Sequence, residues 1–322
     1  MKNIQYTSSL GIPHGSMEDE FLCHKHGPEW WYATGYMTDE TGKLFTYQFT
    51  LAKIRIYGIK FNILMTAVTD FETGIHHYGQ KAIFFEKNVI ITPNRVGVDG
   101  TAEMTFSKNK IDLNMVEKDY SLTLDMDAVK SPVWHCDNGK LQMGIEDQWT
   151  YYWSYTNLAV SGTLILNGKE YKVSGKGWFD RQGGPYNPLD PRTSWEWFSL
   201  RFFDNEEIML FSFPQDNYRD GTLIDKSGTP HRLNDYEITP QGWTETGGYK
   251  FSFGWKVVMK GTKDQEYTIV PIIDGQLNLF YYEMLADIKD KNGITVGYCV
   301  VELLPGARNK KTPIHAAFSR VK

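Results

Sequence analysis

The sequence predicts an all-β chain built as two antiparallel β-barrel or sandwich domains, and three observations predict it. Apolar and polar residues alternate over short runs, with turn signals recurring between them. Between residues 78 and 150 no segment holds a helical apolar period over ten or more residues. A stretch with Pro185, Pro188 and Pro191 separates two halves that show the same pattern, and proline cannot continue a central strand. The domains expected are therefore residues 1–186 and 187–322.

Residues 1–28 are polar and turn-rich, with His14, His24 and His26 among Gly11, Pro13, Gly15, Gly27 and Pro28, and predict an irregular lead-in. His24-x-His26 has a ligand type suited to metal, but no carboxylate or thiol stands at a matching spacing. Hydrogen-bonded or solvated loop histidines are expected, and no metal. The first strand starts at Glu29-Trp30-Trp31-Tyr32. Alternation sends Trp30, Tyr32 and Thr34 to one face and Glu29, Trp31 and Ala33 to the other. A turn at Asp39 to Lys43 leads to strands at Leu44 to Leu51 and Phe61 to Thr69. His76 and His77 are expected in a loop. Short runs follow at Lys81 to Glu86, Val89 to Thr92, Thr101 to Phe106, Lys110 to Val116 and Ser121 to Met126.

The stretch Tyr151 to Gly184 holds two β-type runs around Asn167-Gly168. Asn-Gly between alternating apolar residues predicts a hairpin. Next, Gly175, Gly177, Gly183 and Gly184 flank Trp178-Phe179-Asp180-Arg181, and that density of glycine predicts a turn with unusual backbone angles. The second half carries strand-like runs at Trp195 to Phe203, Glu207 to Pro214, Gly221 to Asp225, Tyr249 to Met259, Glu266 to Ile273, Gln276 to Phe280 and Gly297 to Leu304. No sharp internal repeat is visible.

Composition narrows the function classes. With 322 residues and 41% hydrophobic content the chain can bury a sizeable core. A net charge of -5 with scattered Lys and Arg gives no basic stripe for nucleic acid and no polybasic segment for a membrane surface. Cys23, Cys136 and Cys299 are few and far apart, which argues against a disulfide framework and fits a reducing, cytoplasmic setting. No segment approaches the roughly 20 apolar residues of a membrane span. No Walker loop, G-x-S-x-G, H-E-x-x-H or dinucleotide fingerprint is present, so no cofactor is expected. Oligomeric state is left open.

Aromatic residues make up 15% of the chain. Most belong in the core, but small-molecule pockets are also mainly apolar, and Trp31, Trp153, Trp178, Trp197 and Tyr282 are candidate pocket lining. Asp180 reads two ways. It can hold a glycine turn through backbone N–H bonds, or face an apolar pocket and move a proton. Glu29 shares a face with bulky aromatics and has the same two readings. Arg181 cannot carry protons near neutral pH but can hold an anionic or enolic oxygen, and Tyr152 completes the candidate set.

The run SGTL-x-LNGK-x-Y-x-VSG-x-x-W-x-D, the Glu29-Trp30-Trp31-Tyr32 motif, Trp195-Glu196-Trp197-Phe198-Ser199-Leu200, Glu207-Ile208-Met209-Leu210 and Val301-Glu302-Leu303 resemble, in order and approximate spacing, the AttH/CrtC group. That resemblance implies two lipocalin-like domains. It also implies kinship with carotenoid 1,2-hydratases, kievitone hydratases and, more distantly, fungal Diels-Alderases. Lipocalin-type barrels can enclose one small ligand. Asp180 matches the Asp of the group's Trp-Met-Asp-His motif, but Arg181, Gln182, Gly183 and Gly184 follow it where carotenoid hydratases read His-Glu/Gln-Trp-Gly. Losing that histidine and tryptophan argues against carotenoid hydration itself. The function expected is a cofactor-free cyclase, hydratase or lyase acting on a hydrophobic terpenoid- or polyketide-like intermediate, with Asp180, Arg181, Glu29 and Tyr152 as its polar set. The alternative is a non-catalytic carrier of a hydrophobic small molecule.

Overall fold

The computed structural model describes residues 4–7, 19–25, 27–56, 58–84, 86–144, 147–187, 190, 192–214, 217–260, 265–274, 276–278 and 281–304. The chain divides into two compact units, one of residues 1–134, 138–140 and 149–186, the other of residues 135–137, 141–148 and 187–322. Each is built on a nearly closed antiparallel sheet, so the fold is all-β with two lipocalin-like barrels. No helix among the described residues is long and apolar enough to cross a membrane.

Ahead of its first strand the first unit has two isolated bridges, Ile4 with Ile91 and Tyr6 with Cys23, and a short 3-10 turn, Asp19–Phe21. The strands of its sheet are β1 (Glu29–Asp39), β2 (Leu44–Ile56), β3 (Ile59–Asp70), β4 (Ile75–Phe84), β5 (Val89–Thr92), β6 (Arg95–Val98), β7 (Ala102–Ser107), β8 (Lys110–Val116), β9 (Tyr120–Ala128), β10 (Val133–Trp134), β11 (Lys140–Gln142, of which only Lys140 falls in this unit), β12 (Trp149–Leu166) and β13 (Lys169–Gly183). The sheet runs β4-β3-β2-β1-β13-β12-β9-β8-β7-β6-β5. Its first strand therefore lies beside its last. The β12–β13 hairpin turns at Asn167 (φ 50°) and Gly168 (φ 81°), the left-handed pair that an Asn-Gly turn supplies.

Two corrections concern turns. The glycines around Asp180 form no turn: Gly175, Gly177 and Gly183 lie inside β13, a continuous strand of 15 residues. They serve close approach instead. Gly35 and Gly177 are cross-strand partners, and a Cβ on either would meet the Tyr47 side chain, at 2.6 Å and 2.4 Å. The pair makes room for a phenol inside the barrel. His76 and His77, expected in a loop, sit in β4, where His76 Nδ1 is 2.8 Å from Thr69 Oγ1.

The core of this unit includes Phe21, Trp31, Phe45, Phe49, Met104, Leu122, Trp153 and Phe179. On β7, β8 and β9 buried and more exposed residues alternate, so only one face is covered. On β13 every residue from Gly177 to Gly183 is buried, so both faces are covered there.

The second unit contains β14 (Trp195–Phe202), β15 (Glu207–Phe213), β16 (Tyr218–Ile224), β17 (Pro230–Leu233), β18 (Tyr236–Pro240), β19 (Trp243–Thr246), β20 (Tyr249–Ser252), β21 (Trp255–Met259), β22 (Gln265–Pro271), β23 (Leu277–Asn278), β24 (Tyr281–Lys289) and β25 (Thr295–Leu304). Its sheet runs β17-β16-β15-β14-β25-β24-β22-β21-β18, again with first strand against last. The expected run Tyr249 to Met259 is split by Gly254, whose φ of 77° breaks the strand. The run expected to end at Phe280 leaves the described residues before that position.

Candidate functional site

Because β1 and β13 are paired strands, side-chain alternation divides the candidate residues between two faces. Cross-strand partners are Glu29 with Gly183, Trp31 with Arg181, and Tyr32 with Asp180. On β12, Trp153 stands opposite Arg181 and Tyr152 opposite Gln182. Glu29, Trp31, Trp153 and Arg181 therefore share the barrel-interior face. Asp180, Tyr152 and Trp178 share the other. The four polar candidates are two pairs, not one constellation.

The interior pair closes an end of the barrel. Arg181 donates from Nε to Glu20 O (2.9 Å), from Nη2 to Leu22 O (2.8 Å) and from Nη1 to Trp30 O (3.4 Å) and Gln182 O (3.3 Å). Nη2 also donates to Glu29 Oε2, and the guanidinium lies 4.0 Å from the Trp31 ring centroid. Every N–H of this fork is committed. Glu29 also accepts from Lys53 Nζ, from Tyr151 Oη at 2.8 Å and from the His24 backbone N–H at 3.1 Å. Burial alone would raise the Glu29 pKa. Arg181, the His24 hydrogen bond and Lys53 outweigh burial and hold it well below the usual carboxylate range. Burial pushes the Tyr151 phenol far up, so it stays a donor.

The same cluster fixes the N-terminal segment. Trp31 Nε1 donates to Phe21 O at 2.9 Å. The Phe21 ring enters the barrel, 4.0 Å from the Phe106 centroid and 5.3 Å from Trp153. His24 Nε2 lies 3.3 Å from Glu20 Oε2, and its Nδ1 lies 3.2 Å from Glu29 Oε2. His24 is thus a hydrogen-bonded, fully buried residue; His26 lies outside the described residues. Among the described residues no three of His, Cys, Asp and Glu gather as metal ligands.

On the opposite face, Asp180 Oδ1 accepts two hydrogen bonds, from Trp178 Nε1 at 2.5 Å and from Ser154 Oγ. Ser154, Asp180, Tyr32, Thr50 and Met65 stand side by side across β12, β13, β1, β2 and β3. In the next row Tyr152 pairs with Gln182, whose amide donates to Thr150 Oγ1 at 2.9 Å. Asp180 is 4% exposed, Tyr32 3%, and Tyr152, Ser154 and Trp178 are at 0%. This face offers a carboxylate with a fixed orientation, a phenol on either side and an indole. Those groups can pass a proton and face an apolar substrate.

The remaining candidates belong to the second unit. Trp197 stands opposite Glu302 on β25, and Glu302 accepts from Trp195 Nε1 at 2.7 Å. Tyr282 stands opposite Leu303, on the other face of that sheet, stacked 4.6 Å from Phe251. A cavity of about 1130 Å³ also opens in this unit against Phe202, Met259, Tyr267 and Val296, and no residue singled out from the sequence lines it.

Sequence reading missed Ser154, Tyr32, Tyr151 and Lys53. Tyr32 had a signal, since alternation already separated it from Glu29. Ser154 and Lys53 had none, because only the register of β12 on β13 and of β2 on β1 brings them to the carboxylates.

The AttH-like family model matches residues 18–304. Nothing among curated proteins matches the sequence. Three solved structures share the fold. A protein described as AttH from Nitrosomonas europaea has 22% identity and a TM-score of 0.81, over 93% of this chain and 99% of its own. Kievitone hydratase from Nectria haematococca has 18% identity and a TM-score of 0.70, over 94% and 96%. CghA with Sch210972 has 7% identity and a TM-score of 0.54, over 94% and 96%. At these identities the likeness shows the fold alone.

Proposed function

The chain belongs to the AttH-like family, and from that premise we propose that it is a cofactor-free enzyme of the hydratase or cyclase kind. Its substrate is a hydrophobic, partly oxygenated small molecule of terpenoid or polyketide type, and Asp180 is the residue that handles the proton. The observation that carries this reading is the Asp180 carboxylate itself, buried beside Trp178, Tyr32 and Tyr152 and held by two donors on one oxygen. A carboxylate so placed can take a proton from, or give one to, a substrate lying on the aromatic face. The indole and phenol rings can steady positive charge that develops there. Kievitone hydratase shares the fold, which supports proton-driven addition as the reaction class.

The strand geometry changes the weight of the motif departure. Position 181 follows Asp180 in β13 and so faces the barrel interior. An arginine there in place of the group's histidine leaves the Asp180 face unaltered. Arg181 and Glu29 are assigned to holding the barrel end, and Tyr152 stays with Asp180 as a polar neighbour.

Asp180→Asn keeps shape and removes the charge. With kievitone and a panel of terpenoids and polyketides as substrates, turnover should fall about 10²–10⁴-fold with the melting temperature retained. Wild-type turnover in a fully folded variant would remove Asp180 from the mechanism. The cavity against Phe202 and Tyr267 favours a second reading, a carrier. In that case both proteins quench tryptophan emission alike on binding a polyene, and neither turns anything over.

A further inference from the structure

We infer that one end of the second barrel is a binding site for an uncharged hydrophobic small molecule, separate from the Asp180 face. The inference gives a ligand class to the cavity that favours the carrier reading, and it does not depend on Asp180. That cavity, of about 1130 Å³, is lined by the last residues of β14 and β21, the first of β22 and β25, and the turns that follow β14, β16 and β24. In an antiparallel sheet these lie together at one end: Phe202 stands opposite Gly297, Met259 opposite Gln265 and Lys289 opposite Thr295. The cavity is therefore the mouth of the barrel, a place where ligands commonly bind.

Its floor is apolar. Phe202 and Tyr267 come from β14 and β22, which β25 and β24 separate in the sheet, yet their rings lie 5.0 Å apart. They meet across the interior. Four residues further in along β14 and β21, Phe198 and Trp255 fill the next layer, 5.3 Å apart, so a ligand rests on the floor and does not thread the barrel. Phe202, Met259 and Tyr267 are buried, Val296 is half-buried and Phe203 is exposed at the lip.

Charge decides the ligand class. Among the described residues, four carboxylates and three ammonium groups line the opening, a near balance that favours neither sign. Most already have partners. Lys226 Nζ lies 2.7 Å from Asp204, Lys260 Nζ 3.0 Å from Glu237 and Glu266 2.9 Å from Lys256 Nζ. Asp290 Oδ1 accepts from the backbone N–H groups of Asn292 and Ile294, both at 2.9 Å. A charged head group would have to break such a pair and would gain little in return at an exposed rim. An anion meets a further obstacle. Burial, with Asp204 and Asp290, pushes the Tyr267 phenol up to about 12, so the field of those carboxylates reaches the floor and opposes negative charge there. An uncharged molecule loses nothing at this rim and gains the apolar floor.

The test uses full-length protein with ¹³C-labelled methionine methyl groups. The chain has 11 methionines, and the Met259 resonance is assigned through Met259→Leu. The probes are 1-decanol, decanoate and decylammonium, which share a chain and differ in charge at pH 7. Decanol should shift the Met259 methyl saturably, and the two ions should bind about tenfold more weakly or worse, because each must give up hydration for a rim whose charges are already paired. Val296→Trp fills the mouth from its half-buried edge and should abolish the shift while turnover stays at the wild-type level. Phe203→Ala, at an exposed position, should weaken decanol several-fold and serves if the tryptophan variant folds poorly. A Met259 signal that no decyl compound moves overturns the site, and decanoate or decylammonium binding as tightly as decanol overturns the ligand class. Asp180→Asn should leave the Met259 titration unchanged, so its effect on turnover bears on the catalytic reading alone. Loss of the Met259 response in a folded Asp180→Asn variant would show that the two sites are not separate.

Discussion

Arg181 and Asp180 are neighbours in sequence on opposite faces of β13. Arg181 is a fully buried cation with carbonyl, carboxylate and indole partners on every side. Arg181→Lys keeps the charge but loses the planar fork, so it should lower stability while the folded molecules keep their turnover. The two readouts together separate it from Asp180→Asn. Breaking a buried ion pair by removing one partner costs about 3–5 kcal/mol. Glu29→Gln should show a loss of that order in denaturant midpoints, since it strands Arg181 and Lys53. The Glu29 pKa is depressed in the folded state. Its contribution is therefore present above the ordinary glutamate range and is lost as pH falls towards the folded value. Acid unfolding should begin near pH 4 in the wild type, with a shallower acid limb in Glu29→Gln, measured by circular dichroism across pH 2–7.

Many strand positions and the Asn167-Gly168 hairpin could be read from the sequence, because period-two alternation and left-handed turn residues are local signals, whereas strands such as β6, β17, β18 and β24 were not expected. The stretch from Gly177 to Gly183 could not. Both of its faces are buried, so it lacks the alternation that marks a half-exposed strand, and its glycines imitate a turn. Reading it as a turn put Asp180 and Arg181 on one site, whereas strand geometry parts them. Trp197 and Tyr282 were parted in the same way, since each face of β14 and β24 carries aromatic residues and only register says which. The glycine reading can be checked at Gly35, where an added Cβ would sit 2.4 Å from Lys176 O and 2.6 Å from the Tyr47 ring. Gly35→Ala should destabilise by about 1–3 kcal/mol through overpacking. Adding Tyr47→Phe should return part of the loss in Gly177→Ala, where the phenol oxygen itself lies 2.4 Å from the added Cβ, and little of it in Gly35→Ala, where the clash is with ring carbons and backbone. Equal stability of Gly35→Ala and wild type in urea would contradict the packing role.

At the scale of the whole molecule, the two sheets share a plan that no sequence repeat announced: a four-strand meander whose first strand then pairs with the last strand of its unit. All three cysteines lie inside this architecture. Cys23, Cys136 and Cys299 are free and buried, and burial pushes the Cys23 thiol up to about 12 and the other two further still. Folded protein should therefore react with none of a thiol reagent's equivalents in minutes at pH 8, and with three after denaturation. Fast labelling of one thiol in the native state would show that its unit opens. The shared plan also sets an order of events during synthesis. Glu29 meets Gly183, and Trp31 meets Arg181, about 150 residues later in the chain. Until β13 emerges, the strand that anchors the first barrel has one edge unpaired, and Glu29 lacks the guanidinium that balances it. The nascent first unit is thus an open ribbon that its own last strand closes, and the Arg181 clasp is among the final contacts to form.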